Sequence, residues 1–256
     1  MGGLGEVRPD VLYLSPHLDD VVLSCGGTAF RQAKSGLRVV VLTLFTRDLE
    51  DDPTNLVLQQ VYGRMDLRPA EAMTVRREED RRACGRLGAT PVHWGLDEAL
   101  GRHPGLPSLA ALFEEPPGSD QVVVERLADR FRDLEDVPEV AAPVGWGGHM
   151  DHRLVRRAAE AVFGQRLRFY EDFPYVLTLD EADLGPEVRG LEPEVERLDA
   201  EDLAARIEAI AAYRSQVSSL FGSRVRRLLV PGRSIAARVR RHVRSVGGER
   251  FWVAAS

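Results

Sequence analysis

The sequence contains little cysteine and almost no lysine. Cys25 and Cys84 are the only cysteines among 256 residues, too few for the disulfide scaffold of a secreted domain. Lys34 is the only lysine, so nearly all of the 34 basic residues are arginines, which we interpret as the codon bias of a GC-rich genome. The net charge of −6 lacks the basic excess of a nucleic-acid surface. We therefore expect a reducing, cytoplasmic setting and no nucleic-acid partner.

Long apolar runs are also missing. The first ten residues contain no apolar stretch of a signal peptide, and no later run reaches the length of a membrane span. Apolar residues make up 44% and charged residues 29%, which is typical of a globular chain. We expect one domain over residues 1–256, with a core at about 9–175, a C-terminal helical extension at about 199–256 and no membrane contact. The sequence allows a homo-oligomer without requiring one.

What the sequence does contain is an abrupt change from apolar to polar and charged residues after its first apolar run. Val11–Leu14 is typical of a buried strand, and Pro16 ends it because proline has no N–H for a sheet ladder. His17, Asp19 and Asp20 follow at once, at the carboxyl end of this strand, where open α/β sheets bind their ligands. One imidazole and two carboxylates so close together need burial, pairing or a metal ion.

Apolar runs and helical periods alternate along the rest of the chain. Further strands are predicted at Leu37–Phe45, Thr90–Trp94, Glu139–Val144 and Leu167–Tyr170. Helices are predicted at Ala29–Gly36, Thr74–Leu87, Gln121–Leu134, His149–Phe163 and Asp199–Leu220. This alternation predicts a Rossmann-like α/β fold, with a mostly parallel sheet flanked by helices and the active site at the carboxyl ends of the strands.

Four segments fall outside this alternation. Thr46–Met73 and Asp97–Ser119 contain several prolines, and we interpret them as insertions that cover the strand ends and select the substrate. Their charged residues are suited to binding sugar hydroxyls or are simply solvated: Arg47, Asp48, Arg64, Asp66, Asp97, Glu98, Arg102 and His103. Thr178–Arg197 is acidic and predicted to be exposed, and the basic Ser223–Arg244 is predicted to be a solvated helical face.

His17, Asp20 and His152 form a candidate metal set. His152 belongs to the motif His149–His152, which follows another predicted strand and opens a helix. Two imidazoles and one carboxylate leave a fourth position open for water, as in catalytic zinc sites. A lone histidine would more often be structural, but three of the six histidines fall in these two Asp-rich motifs. Cys25 is interpreted as a core residue, and no G-x-G-x-x-G fingerprint supports a dinucleotide site.

At these two motifs the chain resembles the PIG-L (LmbE-like) zinc-dependent N-deacetylases, whose motifs read roughly [AP]-H-x-D-D and H-x-D-H. The resemblance extends over Val11–Phe163. Three later motifs, at Tyr170–Tyr175, Tyr213–Gln216 and Glu249–Trp252, are similar to those of members that act on sugar-containing metabolites.

The resemblance implies a role for each matching residue. His17, Asp20 and His152 would bind Zn²⁺, although another divalent ion such as Fe²⁺ suits the same set. Asp19 would be the general base. His149 would stabilise or protonate the tetrahedral intermediate, Asp151 would orient a histidine, and Arg76 and Asp97 would contact the substrate. Some relatives carry a tyrosine two residues before the first histidine of H-x-D-H, where this chain has Gly147.

We therefore expect a zinc-dependent amidohydrolase that removes an N-acetyl or other small N-acyl group from an amino sugar, or from a natural product that contains one. A deacylase of a non-sugar amide in secondary metabolism is the first alternative. A Rossmann-like nucleotide-binding module without hydrolytic activity is the second, and the metal content of the purified protein would separate it from the other two.

Overall fold

A computed structural model describes residues 4, 7–179, 184–217 and 234–255. The strands of this part of the chain are β1 (Val11–Ser15), β2 (Val39–Thr43), β3 (Thr90–His93), β4 (Glu139–Pro143), β5 (Leu167–Tyr170), β6 (Leu191–Glu196) and β7 (Glu249–Ala254). They form one sheet in the order β3-β2-β1-β4-β5-β7-β6. The first five strands are parallel, whereas β7 is antiparallel to both β5 and β6. The predicted α/β class is confirmed.

Helices cover both faces of the sheet. They are α1 (Asp20–Lys34), α2 (Leu56–Gly63), α3 (Pro69–Arg86), α4 (Ala99–Arg102), α5 (Gln121–Arg132), α6 (Met150–Phe163), α7 (Ala200–Ile210) and α8 (Ile235–Val246). α1, α3 and α7 pack together, and α5 packs against α6. The crossovers through α1 and α6 run in opposite directions along the sheet, so right-handed connections place these helices on opposite faces. Among the described residues, no helix is long and apolar enough to cross a membrane.

The central strands are buried on both faces. All five residues of β1 and all five of β2 are buried, as expected for parallel strands that helices cover on each side. β1 lies between β2 and β4, so the chain reverses its direction of winding on either side of β1. Such a switch point opens a crevice at the carboxyl ends of the strands, and β1 and β4 deliver the two motifs to it.

The structure corrects several predicted elements. α1 begins at Asp20 and not at Ala29, and the predicted insertion at Thr46–Met73 contains α2 and the start of α3. The predicted loop Asp97–Ser119 contains α4 and a 3₁₀ turn at Leu109–Phe113. The predicted exposed segment Thr178–Arg197 contains β6.

The C-terminal segments join the same sheet as the core, because β7 pairs with β5. β7 was quoted as a motif and not predicted as a strand. Residues 218–233, which include the end of the predicted helix Asp199–Leu220 and the start of the basic tail, lie outside the described residues.

α1 contains a break that a buried ion pair fills. Cys25 has non-helical angles, φ −140° and ψ 28°. The backbone N–H groups of Gly27 and Thr28, just beyond the break, donate to the carboxylate of Glu249 at 3.0 and 2.7 Å. Arg206 lies 3.0 Å from the same carboxylate and donates to the backbone oxygen of Leu23, before the break. The pair therefore connects the two halves of the helix whose first residue is Asp20.

Candidate active site

A cavity of about 500 Å³ lies over the carboxyl ends of β1, β4 and β5. His17, Asp19 and Asp20 reach it from the loop after β1, and His149 and His152 reach it from the loop and helix after β4. The loop after β5 adds Phe173–Tyr175. Two motifs more than 120 residues apart in the chain thus meet because their strands are neighbours in the sheet.

Local hydrogen bonds shape the loop after β1. The hydroxyl of Ser15 donates to the backbone oxygen of His17 at 2.7 Å, and the backbone N–H of His17 donates to Asp20 at 2.7 Å. Asp19 has a φ of 155° and a ψ of −24°, a conformation that non-glycine residues rarely adopt and that the surrounding structure must hold in place. Asp19 and Asp20 consequently both line the cavity although they are adjacent in sequence.

One carboxylate oxygen of Asp20 lies between two imidazoles. Oδ2 of Asp20 is 3.5 Å from Nδ1 of His17 and 3.4 Å from Nε2 of His152. Ligand bonds of about 2.0–2.1 Å to a tetrahedral zinc ion would separate two ligand atoms by about 3.3–3.4 Å. The donor atoms of His17, His149 and His152 also lie within 4.8 Å of one another. The site is therefore the right size for one divalent ion, held by His17, His152 and either Asp20 or His149.

Each of the two imidazoles next to Asp20 has a carboxylate behind it. Asp151 lies 2.9 Å from Nε2 of His17, and its other oxygen accepts a hydrogen bond from Arg102 at 2.7 Å. Asp172 lies 2.6 Å from Nδ1 of His152. Such carboxylates fix the tautomer and orientation of a ligating imidazole. Both leave free the ring nitrogen that faces Asp20.

The protonation preferences of these groups differ sharply. Burial lowers the pKa of His17, but its hydrogen bonds to Asp151 and Asp20 outweigh burial and raise the pKa to about 10. Burial together with the charge of His17 lowers the pKa of His149 to about 3. The backbone N–H of Asp151 donates to Nδ1 of His149 at 3.2 Å, so the proton of a neutral His149 lies on Nε2.

Arg76 lies at the cavity wall in a buried cluster. Its Nη1 is 3.2 Å from the hydroxyl of Tyr62 and 3.7 Å from the carboxylate of Glu98, and the Tyr62 hydroxyl donates to Glu98 at 2.7 Å. All three residues line the cavity, and Nε of Arg76 is buried without a hydrogen-bond partner among the described residues. The cluster therefore presents hydrogen-bond donors and an acceptor to a ligand that binds against this wall of the cavity.

Asp97 does not lie in the cavity, in contrast to the prediction. Its carboxylate is 40% exposed and pairs with Arg47 at 2.8 Å. The chain turns into α4 directly after it, and this turn carries the next residue, Glu98, inward. At this loop Glu98, and not Asp97, therefore lines the cavity.

The two insertions contribute mostly apolar side chains to the cavity. We call this set the cavity roof: Val61, Met65, Leu100, Leu109, Leu112 and Phe113. Of the charged insertion residues, only Arg64 and Glu98 line the described cavity. Most of the others pair with protein groups, as Asp48 does with Arg77 and His103 with Asp120. These charges are therefore mostly satisfied within the protein, and binding of a sugar hydroxyl by one of them stays a prediction.

Comparison with known proteins identifies the family. Residues 12–163, more than half of the chain, match the family model "PIG-L: GlcNAc-PI de-N-acetylase". The chain belongs to the PIG-L family. The expected family is confirmed, and the two histidine motifs lie in the matched region.

Two sequence relatives of this PIG-L chain are named for the deacetylation of 2'-N-acetylparomamine. A 2'-N-acetylparomamine deacetylase of Streptomyces fradiae is 34% identical over 197 residues, which cover 73% of this chain and 66% of that protein. The protein of the same name in Niallia circulans is 26% identical over 186 residues, with 64% and 66% covered. The chain therefore matches slightly less than two thirds of the length of these relatives.

Similar solved structures are deacetylases named for A40926 pseudoaglycone and for teicoplanin biosynthesis. The A40926 pseudoaglycone deacetylase Dbv21 superimposes with a TM-score of 0.73 at 27% identity, over 98% of this chain and 100% of that one. A teicoplanin deacetylase solved with teicoplanin gives a TM-score of 0.73 at 26% identity, over 95% and 97% of the two chains.

Several residues of this PIG-L site were not identified from the sequence. Asp172 and Tyr175 line or support the cavity, yet neither had been assigned a role, and Glu98, which also lines it, had been named only among the charged insertion residues. Asp172 and Tyr175 lie within the motif Tyr170–Tyr175, directly after β5. Their position after a parallel strand was the one available signal, because it places them at the same edge of the sheet as His17 and His149.

Proposed function

We propose that this PIG-L protein is a Zn²⁺-dependent N-deacetylase that removes an acetyl or other small acyl group from an amino sugar of a natural product. The observation that carries the proposal is the position of Asp20 between His17 and His152, with Asp19 lining the same cavity. The relatives described above, which are named as deacetylases of 2'-N-acetylparomamine, A40926 pseudoaglycone and teicoplanin, support the same reaction. A cytoplasmic location and a homo-oligomer stay predictions.

The donor set fits a divalent ion. His17, Asp20 and His152 would hold it, because Asp20 lies at ligand-to-ligand distance from both imidazoles and each imidazole is oriented by a carboxylate. His149 would stay free, since its Nδ1 already accepts the N–H of Asp151. An ion bound there supplies Lewis acidity, which polarises an amide carbonyl and lowers the pKa of water to about 7. Imidazole and carboxylate also suit Fe²⁺, so we propose Zn²⁺ from the family.

The protein groups around that site divide the proton transfers. Asp19 lies beside Asp20 without being needed as a ligand, and it would take the proton of the attacking water. The departing nitrogen needs a proton, which would come from Asp19 or from Nε2–H of His149. Asp151 would act through His17, and Asp172 through His152.

The cavity also indicates the kind of substrate. Arg76, Glu98 and Tyr62 offer charged and polar groups to sugar hydroxyls on one wall, whereas the cavity roof is apolar. We propose an N-acylated amino sugar joined to an apolar group, such as an aromatic aglycone. The roof also favours a second candidate, a non-sugar amide with an apolar substituent, whose substrates would not need Arg76.

The test is release of a free amine and acetate by the zinc-loaded protein. We would compare N-acetylglucosamine, 2'-N-acetylparomamine and an aromatic N-acetylglucosaminide with an N-acylated alkylamine. The Asp19→Asn variant serves as the inactive control. Equal release by wild type and this variant on all four compounds would overturn the proposal, and release from the alkylamine alone would favour the second candidate.

A further inference from the structure

Tyr175 enters the cavity from a different element than the metal motifs. It begins a 3₁₀ turn, Tyr175–Thr178, in the loop after β5 and is half-buried. It lines the same cavity as Asp19, Asp20 and His149. No hydrogen bond from its hydroxyl to any described residue occurs in the structure. A phenol that faces a cavity without a protein partner is available to a ligand.

The position of the Tyr175 ring is fixed from three sides. Its centroid is 6.3 Å from that of His152, at an interplanar angle of 86°, and 6.0 Å from that of Phe113, at 67°. On the third side lies the backbone of Gly147, so closely that a Cβ added there would come within 2.4 Å of Cγ of Tyr175. Gly147 also has a φ of 82°, which favours glycine. The ring is therefore held beside a candidate metal ligand only because residue 147 has no side chain.

The proposed reaction needs a hydrogen-bond donor at this place. When water adds to the amide carbon, its proton passes to Asp19 and the carbonyl electron pair moves to oxygen, which becomes an anion. When the C–N bond breaks, the anionic oxygen re-forms the carbonyl and the electron pair of the broken bond passes to nitrogen, which takes a proton from Asp19 or His149. The products are an amine and a carboxylic acid, which then loses its proton to give the carboxylate. The anionic oxygen is most stable when donors already point at it. If His149 protonates the nitrogen, the oxygen needs a hydrogen-bond donor from another part of the cavity.

We propose that the hydroxyl of Tyr175 donates a hydrogen bond to this oxygen in the transition state, and that Gly147 is glycine because it must accommodate the ring. This inference rests on the proposed function. Tyr175 keeps its own proton throughout, since the step needs only a donor. Phe113 and Gly147 place the ring without touching the reacting atoms.

The direct test removes only the hydroxyl. Tyr175→Phe should lower kcat by roughly tenfold to a hundredfold, the scale of one lost oxyanion donor, with little change in KM, zinc content or melting temperature. A binding measurement that needs no turnover gives a second readout. The methylphosphonamidate of glucosamine, a tetrahedral anion, should bind to the zinc-loaded variant about tenfold more weakly than to wild type, whereas glucosamine should bind equally.

A second variant displaces the ring and leaves the hydroxyl in place. Gly147→Ala should lower kcat as much as Tyr175→Phe, and the double variant should lose little more, because both changes remove one interaction. Gly190→Ala is the matched control: Gly190 has nearly the same φ, 80°, but nothing lies within 4 Å of its added Cβ. It should retain wild-type kcat.

The outcomes separate this inference from the proposed function. A Tyr175→Phe variant within twofold of wild type in both kcat and phosphonamidate affinity would overturn the role of Tyr175. An equal loss in Gly190→Ala and Gly147→Ala would overturn the role of Gly147. A zinc-loaded wild type that releases no amine from any substrate would instead overturn the proposed function, and with it this inference.

Discussion

At the scale of single residues, Asp19 and Asp20 have the same side chain but opposite surroundings. Burial and the charge of Asp20 raise the pKa of Asp19 to about 7. Burial also acts to raise the pKa of Asp20, but His152 and His17 outweigh it and lower that pKa. A carboxylate that two imidazoles stabilise as an anion suits a cation site, and one that binds a proton more readily suits a general base.

This difference predicts separable effects of two matched variants. Asp19→Asn should retain about one zinc ion per chain and lose activity by roughly a hundredfold or more, because only the base is removed. Asp20→Asn should lose most of the metal, because it replaces one of three ligands. Metal analysis after dialysis, together with amine release, measures both. If Asp19→Asn were the variant that lost its metal, the two roles would have to be exchanged.

Arg76 provides a second prediction at this scale, with Asp97 outside the cavity as the control. Arg76→Gln should lower kcat/KM for an N-acetylated amino sugar by about tenfold or more, because one charge-assisted hydrogen bond to a hydroxyl is lost. The same variant should change the hydrolysis of an N-acylated alkylamine much less. Asp97→Asn should be neutral on both substrates, because Asp97 pairs with Arg47 outside the cavity. Equal losses on the two substrates would give Arg76 a structural role only.

The residues that could be predicted from the sequence are those with a local pattern. His17, Asp20 and His152 lie in short motifs whose spacing carries the chemistry. Asp172 and Glu98 could not be identified in this way, because their roles depend on contacts with His152 and Arg76 that the fold alone creates. Asp97 shows that a local pattern can also be misleading. It and Glu98 are adjacent acidic residues before α4, but only the carboxylate of Glu98 faces the cavity, whereas that of Asp97 is partly exposed.

At the scale of elements, the break in α1 links the metal motif to the C-terminal part of the chain. The side chains of Arg206 and Glu249 are 0% and 2% exposed, and Glu249 also accepts the hydroxyl of Thr28 at 2.6 Å. A buried charge is stable only with its partner and its hydrogen bonds complete. The ion pair therefore depends on the backbone groups of α1 for its hydrogen bonds. In turn, these hydrogen bonds hold the first turn of α1 in its orientation relative to the rest of the helix.

Removing one of these charges should be costly. Glu249→Gln should lower the free energy of unfolding by about 3 kcal/mol, because it leaves the Arg206 guanidinium buried without its counter-charge. Glu201→Gln is the control: Glu201 pairs with Lys34 at the surface, so its loss should be below about 1 kcal/mol. Urea unfolding of the two variants measures the difference. Equal destabilisation would show that the ion pair does not hold the broken helix.

The elements that were missed are those with the weakest local pattern. β6 reads L-E-P-E-V-E, so its apolar residues are few and Pro193 argues against a central strand. Its place at the edge of the sheet, paired only with β7, explains why proline and exposed glutamates are tolerated. The five parallel strands were predicted within one or two residues, and for the mostly buried β1, β2, β4 and β5 the reason is the apolar run that is required wherever helices cover both faces.

At the scale of the whole molecule, the order of the strands explains why the two motifs meet. β1 and β4 are neighbours although α1, β2, α3, β3 and α5 lie between them in the chain. The sequence predicted that both motifs follow strands, but not that these strands are adjacent, because strand order is set by long-range pairing. The same pairing brings β7 and α7 next to α1, so the C-terminal part supports the metal motif and is not a separate appendage.

The apolar cavity roof leads to the last prediction. Leu109 lies at the start of the 3₁₀ turn in the second insertion and lines the cavity. If this side chain covers an apolar aglycone, Leu109→Asn should raise KM for an aromatic N-acetylglucosaminide by about tenfold, because burying one leucine side chain contributes about 1.5 kcal/mol or more. Free N-acetylglucosamine lacks the group that contacts the roof, so its kcat/KM should stay within about twofold.

The control is Val122→Asn, on α5, where the side chain is 46% exposed and outside the described cavity lining. It should leave both substrates unaffected. A Leu109→Asn variant that lost the same factor on free N-acetylglucosamine would show that the roof shapes the catalytic end of the cavity. A variant that improved with 2'-N-acetylparomamine would show instead that the roof excludes polar aglycones. Only an effect that differs between the substrates would show that the apolar side chains of the insertions, and not the charges in their sequence, determine which amino sugars the protein accepts.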